Sequence, residues 1–112
     1  MQRPFAIRGA SGKLYGFSAV HGESDWLKTP GVVLFAAPDG YGWRIIRVAQ
    51  ITGRPDDVQP LWAHRDAERY GADTVMVLTE NDQSRQRDII ADLEVGMSAV
   101  LSGTVTSKAR AA

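Results

Sequence analysis

The longest apolar run in the chain spans residues 31–37 (GVVLFAA), and a dense turn signal follows at residues 38–42. A continuous apolar run of this length predicts a β-strand that is covered on both faces. Residues 43–50 (WRIIRVAQ) predict the second strand of a hairpin, because Pro, Asp and Gly fill the turn between the two runs. Arg47 interrupts this second strand, so its guanidinium either reaches the sheet edge or points into a site.

Two further segments have the pattern of strands, and both ends of the chain lack any pattern. Residues 14–20 alternate apolar or aromatic side chains with small ones, and residues 73–79 predict another strand with residues 74–78 at its centre. Residues 1–12 mix Gly, Ser, Arg and Pro and predict a flexible N-terminal arm, and residues 103–112 predict a flexible C-terminal tail. The sequence therefore predicts a single domain over residues 13–102.

A first helix is predicted between the hairpin and the last strand. Asp57 is a favourable N-cap, the helix runs to about Tyr70, and Gly71 is suited to the position just beyond its end. The side chains predicted to face the core are Val58, Leu61 and Trp62, continued by the stems of Arg65 and Arg69. Trp62 is expected in the core together with the other two tryptophans, Trp26 and Trp43, as is usual in a small domain.

A second helix is predicted from Asn81 or Asp82 to Gly96. Its apolar stripe consists of Gln86, Ile89, Ile90 and Leu93, and Asp88 and Asp92 are predicted on a solvated face. The order of elements is then β, ββ, α, β, α. This order predicts an α/β fold of the α+β type, a small and mainly antiparallel sheet of three to four strands packed by two main helices.

Composition limits the class of protein more than it identifies a function. The 112 residues carry no formal net charge, and ten of the 13 basic residues are arginine, which favours planar, bidentate contacts. There is no cysteine, and hence no disulfide or thiolate site. The longest apolar run is far too short to span a membrane, so we expect a cytoplasmic protein with no membrane partner.

Local motifs for catalysis or metal binding are weak. His21 and His64 are the only histidines, and neither has a partner at the spacing of metal ligands. Residues 9–13 (GASGK) look like the end of a phosphate-binding loop but lack the strand before it and the helix after it. They are interpreted as part of the flexible arm, and no metal or cofactor is predicted.

Two polar residues do not fit the apolar patterns around them. Arg47 is either an outward-facing side chain on a half-exposed strand or a group that points into a site. Gln86 is either the solvent end of its stripe or a buried amide, and a buried amide or guanidinium must find hydrogen-bond partners.

Taken together, the hairpin, helix, strand and helix resemble the GIY-YIG nuclease superfamily. Residues 31–35 look like its Gly-Ile-Tyr motif, and residues 47–50 look like its Tyr-Ile-Gly motif. Residues 61–64, Ala67 and residues 71–75 are similar to small bacterial members, and residues 86–90 match the place of their Glu-x-Asp-Leu-Ile segment. The resemblance covers roughly residues 31–97 and rests on order and spacing more than on identical motifs.

The catalytic positions carried over by this resemblance are replaced. Val33 and Arg47 stand at the two tyrosines, Pro60 at the catalytic arginine, and Gln86 at the metal-binding glutamate. Hydrolysis of a phosphodiester in this family needs an activated water, a divalent ion and a cation. Valine cannot transfer a proton, proline carries no charge, and a neutral amide is a poor sole ligand for a hard ion. The resemblance therefore implies a pseudo-nuclease with no catalytic residue.

Three functions follow as hypotheses. The first is a non-catalytic GIY-YIG-like domain that acts as a binding or interaction module for a protein or a small anionic ligand. The alternative is an endonuclease with a displaced active site, in which Arg47 or Arg65 is the cation and Asp82 holds magnesium. The third is a non-catalytic nucleic-acid-binding protein that uses a stripe formed by Arg44, Arg47, Arg65 and Arg69. The candidate ligand-facing residues are Arg47, Gln86, Arg65 and His64.

Overall fold

The computed structural model describes residues 5–20, 25–40 and 42–101, with backbone alone for residues 25 and 97–101. The strands are β1 (Phe5–Arg8), β2 (Leu14–Val20), β3 (Gly31–Asp39), β4 (Gly42–Ile51) and β5 (Thr74–Thr79), and the helices are α1 (Gln59–Glu68) and α2 (Gln83–Leu101). A short 3₁₀ turn, Asp25–Lys28, precedes β3. His21 and the predicted tail at residues 103–112 lie outside the described residues.

The five strands form one sheet in the order β1-β2-β5-β3-β4, and every neighbouring pair is antiparallel. The predicted α+β class, with two helices on an antiparallel sheet, is confirmed. The predicted number of strands was too low, because Phe5–Arg8 pairs with β2 and buries Ile7 in the core. The prediction of a flexible arm was therefore wrong over these four residues, which are too few to show a clear alternation in sequence.

Strand β3 has a helix on each side of it, which is why all of Gly31–Ala37 is buried. Val32, Leu34 and Ala36 lie in a cluster with Leu93 of α2, and we call this side of the sheet the α2 side. The alternate residues Val33 and Phe35 lie in a second cluster with Ala63 and Ala67 of α1, on the side that we call the α1 side. The predicted strand with both faces covered is confirmed.

Local hydrogen bonds mark the starts of both helices, and a glycine follows the end of α1. The Asp57 carboxylate accepts the N–H of Gln59 at the start of α1, and Gly71, with φ of 96°, follows the end of this helix. At the start of α2, Oδ1 of Asp82 accepts the N–H groups of Ser84 and Arg85.

Helix α2 does not stop at Gly96 but continues to Leu101. The predicted end was wrong because Gly96 does not adopt the positive φ that ends a helix. A glycine inside a helix costs only about 1 kcal/mol relative to alanine, which the rest of α2 tolerates.

Candidate functional site

Arg47 lies opposite Phe35 of β3, on the α1 side of the sheet, and β4 carries an extra residue beside it. Phe35 pairs with Arg47 and Ala36 pairs with Ile45, so Ile46 has no counterpart in β3. A bulge of this kind changes the direction of a side chain next to it. Nη1 of Arg47 donates to Oδ2 of Asp66 on α1 at 2.6 Å, and both side chains are about half exposed. Such an exposed pair contributes only about 0.2–1 kcal/mol, so Arg47 stays accessible to a ligand.

Helix α1 packs on the sheet through its small side chains. Pro60, Ala63 and Ala67 are its buried residues. Val58, Leu61 and Trp62 are instead 49%, 44% and 61% exposed. The predicted inward stripe was therefore wrong for all three, as was the core position of Trp62. Alanines let the helix lie close to the sheet, and the larger residues at other angles around the axis then face outward.

The exposed side chains of α1 form one surface. We call Val58, Leu61, Trp62, Arg65 and Arg69 the outer face of α1; they follow one another at a spacing of three or four residues, apart from the adjacent Leu61 and Trp62. The guanidinium carbon of Arg65 lies 5.8 Å from the ring centroid of Trp62, within the range of a cation–π contact. Of the four candidate ligand-facing residues, Arg65 lies on this surface, and Arg47 of β4 lines a groove beside it.

Two depressions meet along the outer face of α1. The first, of about 240 Å³, is lined by Val58, Leu61, Trp62 and Arg65. The second, of about 360 Å³, includes Arg47, Trp62, Arg65, Asp66 and Arg69 in its lining. Trp62 and Arg65 belong to both, so an apolar shelf continues into a groove that carries three arginines and one carboxylate.

Arg44 lies at the C-terminal end of α1. Its Nη2 donates to the carbonyl of Tyr70 at 3.4 Å, where the last carbonyls of a helix favour a cation. The predicted stripe of four arginines is therefore gathered at one helix, although Arg44 and Arg47 are each held by an internal partner.

His64 belongs to the core of the α1 side more than to the groove. Its ring stacks on Phe35, with centroids 5.0 Å apart and planes at 17°, and it meets the edge of Trp26. Its Nε2 lies 3.7 Å from Oε2 of Glu68. The contacts with Phe35 and Trp26 are packing contacts of the core. His64 does not line either depression.

Gln86 is fully buried on the α2 side. Its Oε1 accepts from Nε2 of Gln50 at 2.7 Å, and its Nε2 donates to the carbonyl of Glu80 at 2.5 Å. The buried alternative for this residue is therefore the one observed. An amide with both ends paired inside the protein does not face a ligand.

The four positions that the resemblance assigns to a catalytic cleft do not surround one cleft. Val33 and Pro60 are buried, and Val33 and Arg47 lie on the α1 side of the sheet. Gln86 lies on the opposite side, beneath α2. Asp82, the residue named as the ligand of a displaced metal site, caps α2 with its carboxylate. Within the described ranges, no group of three or more His, Asp or Glu is placed to hold a metal ion.

One polar cluster was not predicted. Asp92 on α2 accepts the N–H and the hydroxyl of Ser11 and the hydroxyl of Tyr15, each at 2.7 Å. The Ser11 hydroxyl, followed by that of Tyr15, lowers the pKa of Asp92. Burial, followed by the Asp92 hydrogen bond, raises the pKa of Tyr15 to about 12. Asp92 was expected on a solvated face, and no local signal could have identified partners about 80 residues away in sequence.

This cluster also determines the conformation of residues 9–13. Ser11 uses its N–H for the Asp92 carboxylate, and the N–H of Ala10 donates to the Asp92 carbonyl at 3.1 Å. A Cβ on Gly9 would overlap the Asp92 carboxylate. The segment is therefore a turn fastened to α2, and its backbone N–H groups are already used in hydrogen bonds.

Comparisons of this chain with protein-family models, with curated proteins and with solved structures found no match. None of the helices in the described part of the chain is long and apolar enough to cross a membrane. The GIY-YIG resemblance stays a prediction from residue order and spacing.

Proposed function

We propose that this protein is a non-catalytic GIY-YIG-like domain that acts as a binding or interaction module through the outer face of α1. The observation that carries the proposal is the exposure of Trp62 beside Arg47, Arg65 and Arg69. Residues 31–101 contain a hairpin, a helix, a strand and a helix, in the order that the resemblance implies. This order supports the relationship, and the replaced positions support the lack of catalysis.

The outer face of α1 has the composition of a binding surface. Tryptophan and arginine are the residue types most enriched among those that contribute strongly to protein interfaces. Among the described residues, six large apolar side chains are exposed, and three of them, Val58, Leu61 and Trp62, are neighbours on this face. Contiguous apolar exposure with a polar rim is typical of a surface that binds a partner.

The hydrogen-bond partners of the residues at the family's catalytic positions favour binding over hydrolysis. Arg47 already has a carboxylate partner, and Gln86 is sealed beneath α2. A general base and a metal ligand would have to come from other residues.

The proposal is tested with the purified protein and two kinds of probe. A nuclease assay with magnesium or manganese on branched, nicked and single-stranded DNA should give no cleavage. Oligo-dT and acidic peptides with apolar residues are then titrated against the wild type and Trp62→Ala. At least one probe should bind saturably to the wild type and at least about tenfold more weakly to the variant.

Metal-dependent cleavage would overturn the non-catalytic part of this proposal. The absence of saturable binding by every probe would overturn the binding part. Val95→Ala on α2 is the matched control, because Val95 is an exposed apolar side chain far from α1 in sequence; this variant should bind like the wild type.

A nucleic-acid-binding function is the second candidate, because all four arginines of the predicted stripe lie at α1. Its affinity should fall steeply with salt as the arginines release counterions from phosphates. Flat salt dependence of oligo-dT binding, or no binding at low salt, would remove this candidate.

A further inference from the structure

The outer face of α1 carries a helical apolar stripe that the domain itself leaves uncovered. Val58, Leu61 and Trp62 are spaced as i, i+3 and i+4, the pattern by which a helix packs against another element. The inner side of the same helix packs on the sheet through Pro60, Ala63 and Ala67. Helix α1 therefore has two packing sides, and only one of them is used within the described residues.

Three arginines border the apolar stripe. Among the described residues, Arg65 and Arg69 form no ion pair, and Arg47 is paired only with the half-exposed Asp66. An arginine fork presents several N–H donors and suits the two oxygens of a carboxylate. A ligand that fills both depressions must combine apolar groups with negative charge.

We propose that the outer face of α1 binds a protein segment in which carboxylates lie beside aliphatic or aromatic side chains. In this arrangement the apolar side chains occupy the shelf at Val58 and Leu61 and stack on Trp62. The carboxylates reach Arg47, Arg65 and Arg69 in the adjoining groove. This inference rests on the proposed function, because it names the partner of the same surface.

Charge distinguishes this partner from the other occupants. A second copy docked through the same face would bring another groove with three arginines and one carboxylate, so the two surfaces would not be complementary in charge. Residues 102–112 of the chain contain Lys108 and Arg110 and no acidic residue, so they do not complement the groove.

A nucleic acid provides phosphates for the arginines but no aliphatic groups for the apolar shelf. Bases could stack on Trp62, yet a phosphodiester chain has no aliphatic group for Val58 and Leu61. The formal net charge of zero also gives the chain no general attraction for phosphates. The shelf and the groove together favour an acidic, amphipathic protein segment.

The experiment selects binders from a library of random short peptides on the wild-type protein, with removal of those that also bind Trp62→Ala. The enriched peptides should contain Asp or Glu beside Leu, Ile, Phe or Trp. A selected peptide should bind Trp62→Ala and Arg65→Glu at least about tenfold more weakly than the wild type. Replacing its apolar residues by alanine should weaken it by a similar factor.

Two variants on α2 serve as controls, Val95→Ala for apolar exposure and Arg87→Glu for charge; both should bind like the wild type. Circular dichroism checks that each variant is folded, and Arg65→Glu provides the test alone if Trp62→Ala does not fold. Enrichment of peptides without acidic residues, or of none at all, would overturn the inference.

The outcomes separate this inference from the proposed function. If oligo-dT binds at Trp62 and no peptide is enriched, the surface binds and its partner is a nucleic acid, so only the present inference fails. Concentration-dependent dimers that Trp62→Ala abolishes would make a second copy the occupant and also overturn it. If neither the peptides nor oligo-dT bind, both proposals fail.

Discussion

The two helices cover opposite sides of one sheet but use their large side chains in opposite ways. Helix α2 directs Leu93 and Gln86 into the core and fastens Asp92 to the turn at Ser11. Helix α1 places alanines against the sheet and turns Leu61 and Trp62 outward. Gln86, Leu93 and Asp92 of α2 are thus held within the domain, whereas α1 leaves apolar and cationic side chains exposed.

This difference shows that an apolar stripe in a helix does not by itself identify the side that faces the core. The packing distance decides, because small residues allow a closer approach to the sheet than large ones. A helix with alanines on one side and large apolar residues on another can be buried through the first and bind through the second.

The largest contrast is expected between two leucines. Leu93→Ala should lower the free energy of unfolding by about 2–5 kcal/mol, because it leaves a cavity beneath α2. Leu61→Ala, the same change on the outer face of α1, should cost less than about 1 kcal/mol because its side chain is already partly in water. Urea denaturation measures the free energy of unfolding of both variants. Equal losses of free energy would contradict the distinction between a buried leucine on α2 and an exposed leucine on α1.

The variant Gln86→Glu tests whether a carboxylate at this position beneath α2 can bind a metal ion. A carboxylate there would place an acceptor against the carbonyl of Glu80, so we expect a loss of about 1–3 kcal/mol at neutral pH. Burial raises the pKa of such a glutamate above its ordinary value of about 4.3, so the loss relative to wild type should shrink as pH falls through that raised pKa towards 4.3.

Thermal melting of Gln86→Glu with and without millimolar magnesium completes that test. No stabilisation by magnesium is expected. Stabilisation that is absent from Gln86→Leu would instead show that the position can hold a metal, as the family resemblance would allow.

The Asp92 cluster predicts a pH dependence of stability. The folded pKa of Asp92 lies below its ordinary value of 3.8. Its stabilising contribution is therefore complete above that value and is lost as pH falls through the folded pKa. Asp92→Asn should cost on the order of 1 kcal/mol at pH 7, and the gap to wild type should narrow in acid.

Denaturation of wild type and Asp92→Asn at several pH values measures this gap. Asp88→Asn, one helical turn away and exposed, is the control and should stay within about 0.5 kcal/mol of wild type. A gap that stays constant from neutral pH into acid would exclude the carboxylate as its cause.

The smallest effect on stability is expected for Arg65→Glu. Its guanidinium makes an exposed contact with Trp62, so the change should cost less than about 1 kcal/mol. The variant should therefore lose the peptide and keep the fold. A cooperative loss of stability comparable with that of Leu93→Ala would assign Arg65 to the framework instead.

Much of the framework was predictable from local patterns. The hairpin, strand β2, strand β5 and the stripe of α2 all follow from periodicity. Burial follows the pattern most closely in β3 and at Gln86 and Leu93 of α2, whereas Leu14 of β2 is 53% exposed. Strand β1 was missed because four residues show little period. The end of α2 was missed because Gly96 has the type of a helix terminator without its conformation.

The candidate site was only partly predictable. Arg47 and Gln86 were recognised as exceptions, but which side of the sheet each one faces depends on the bulge at Ile46 and on the packing of α2. The outward position of Trp62 depends on how closely Ala63 and Ala67 approach the sheet. These are tertiary effects, which single-chain periodicity does not contain.

The outer face of α1 is proposed as the binding surface, and Gln86 and Leu93 of α2 are proposed to take no part in binding. The most direct measurement is chemical-shift mapping of isotope-labelled protein during titration with a peptide selected on the wild type. The account predicts saturable shifts at the Trp62 indole and at Arg47, Arg65 and Arg69, with Gln86 and Leu93 unmoved. Shifts centred on α2, with Trp62 unaffected, would contradict it.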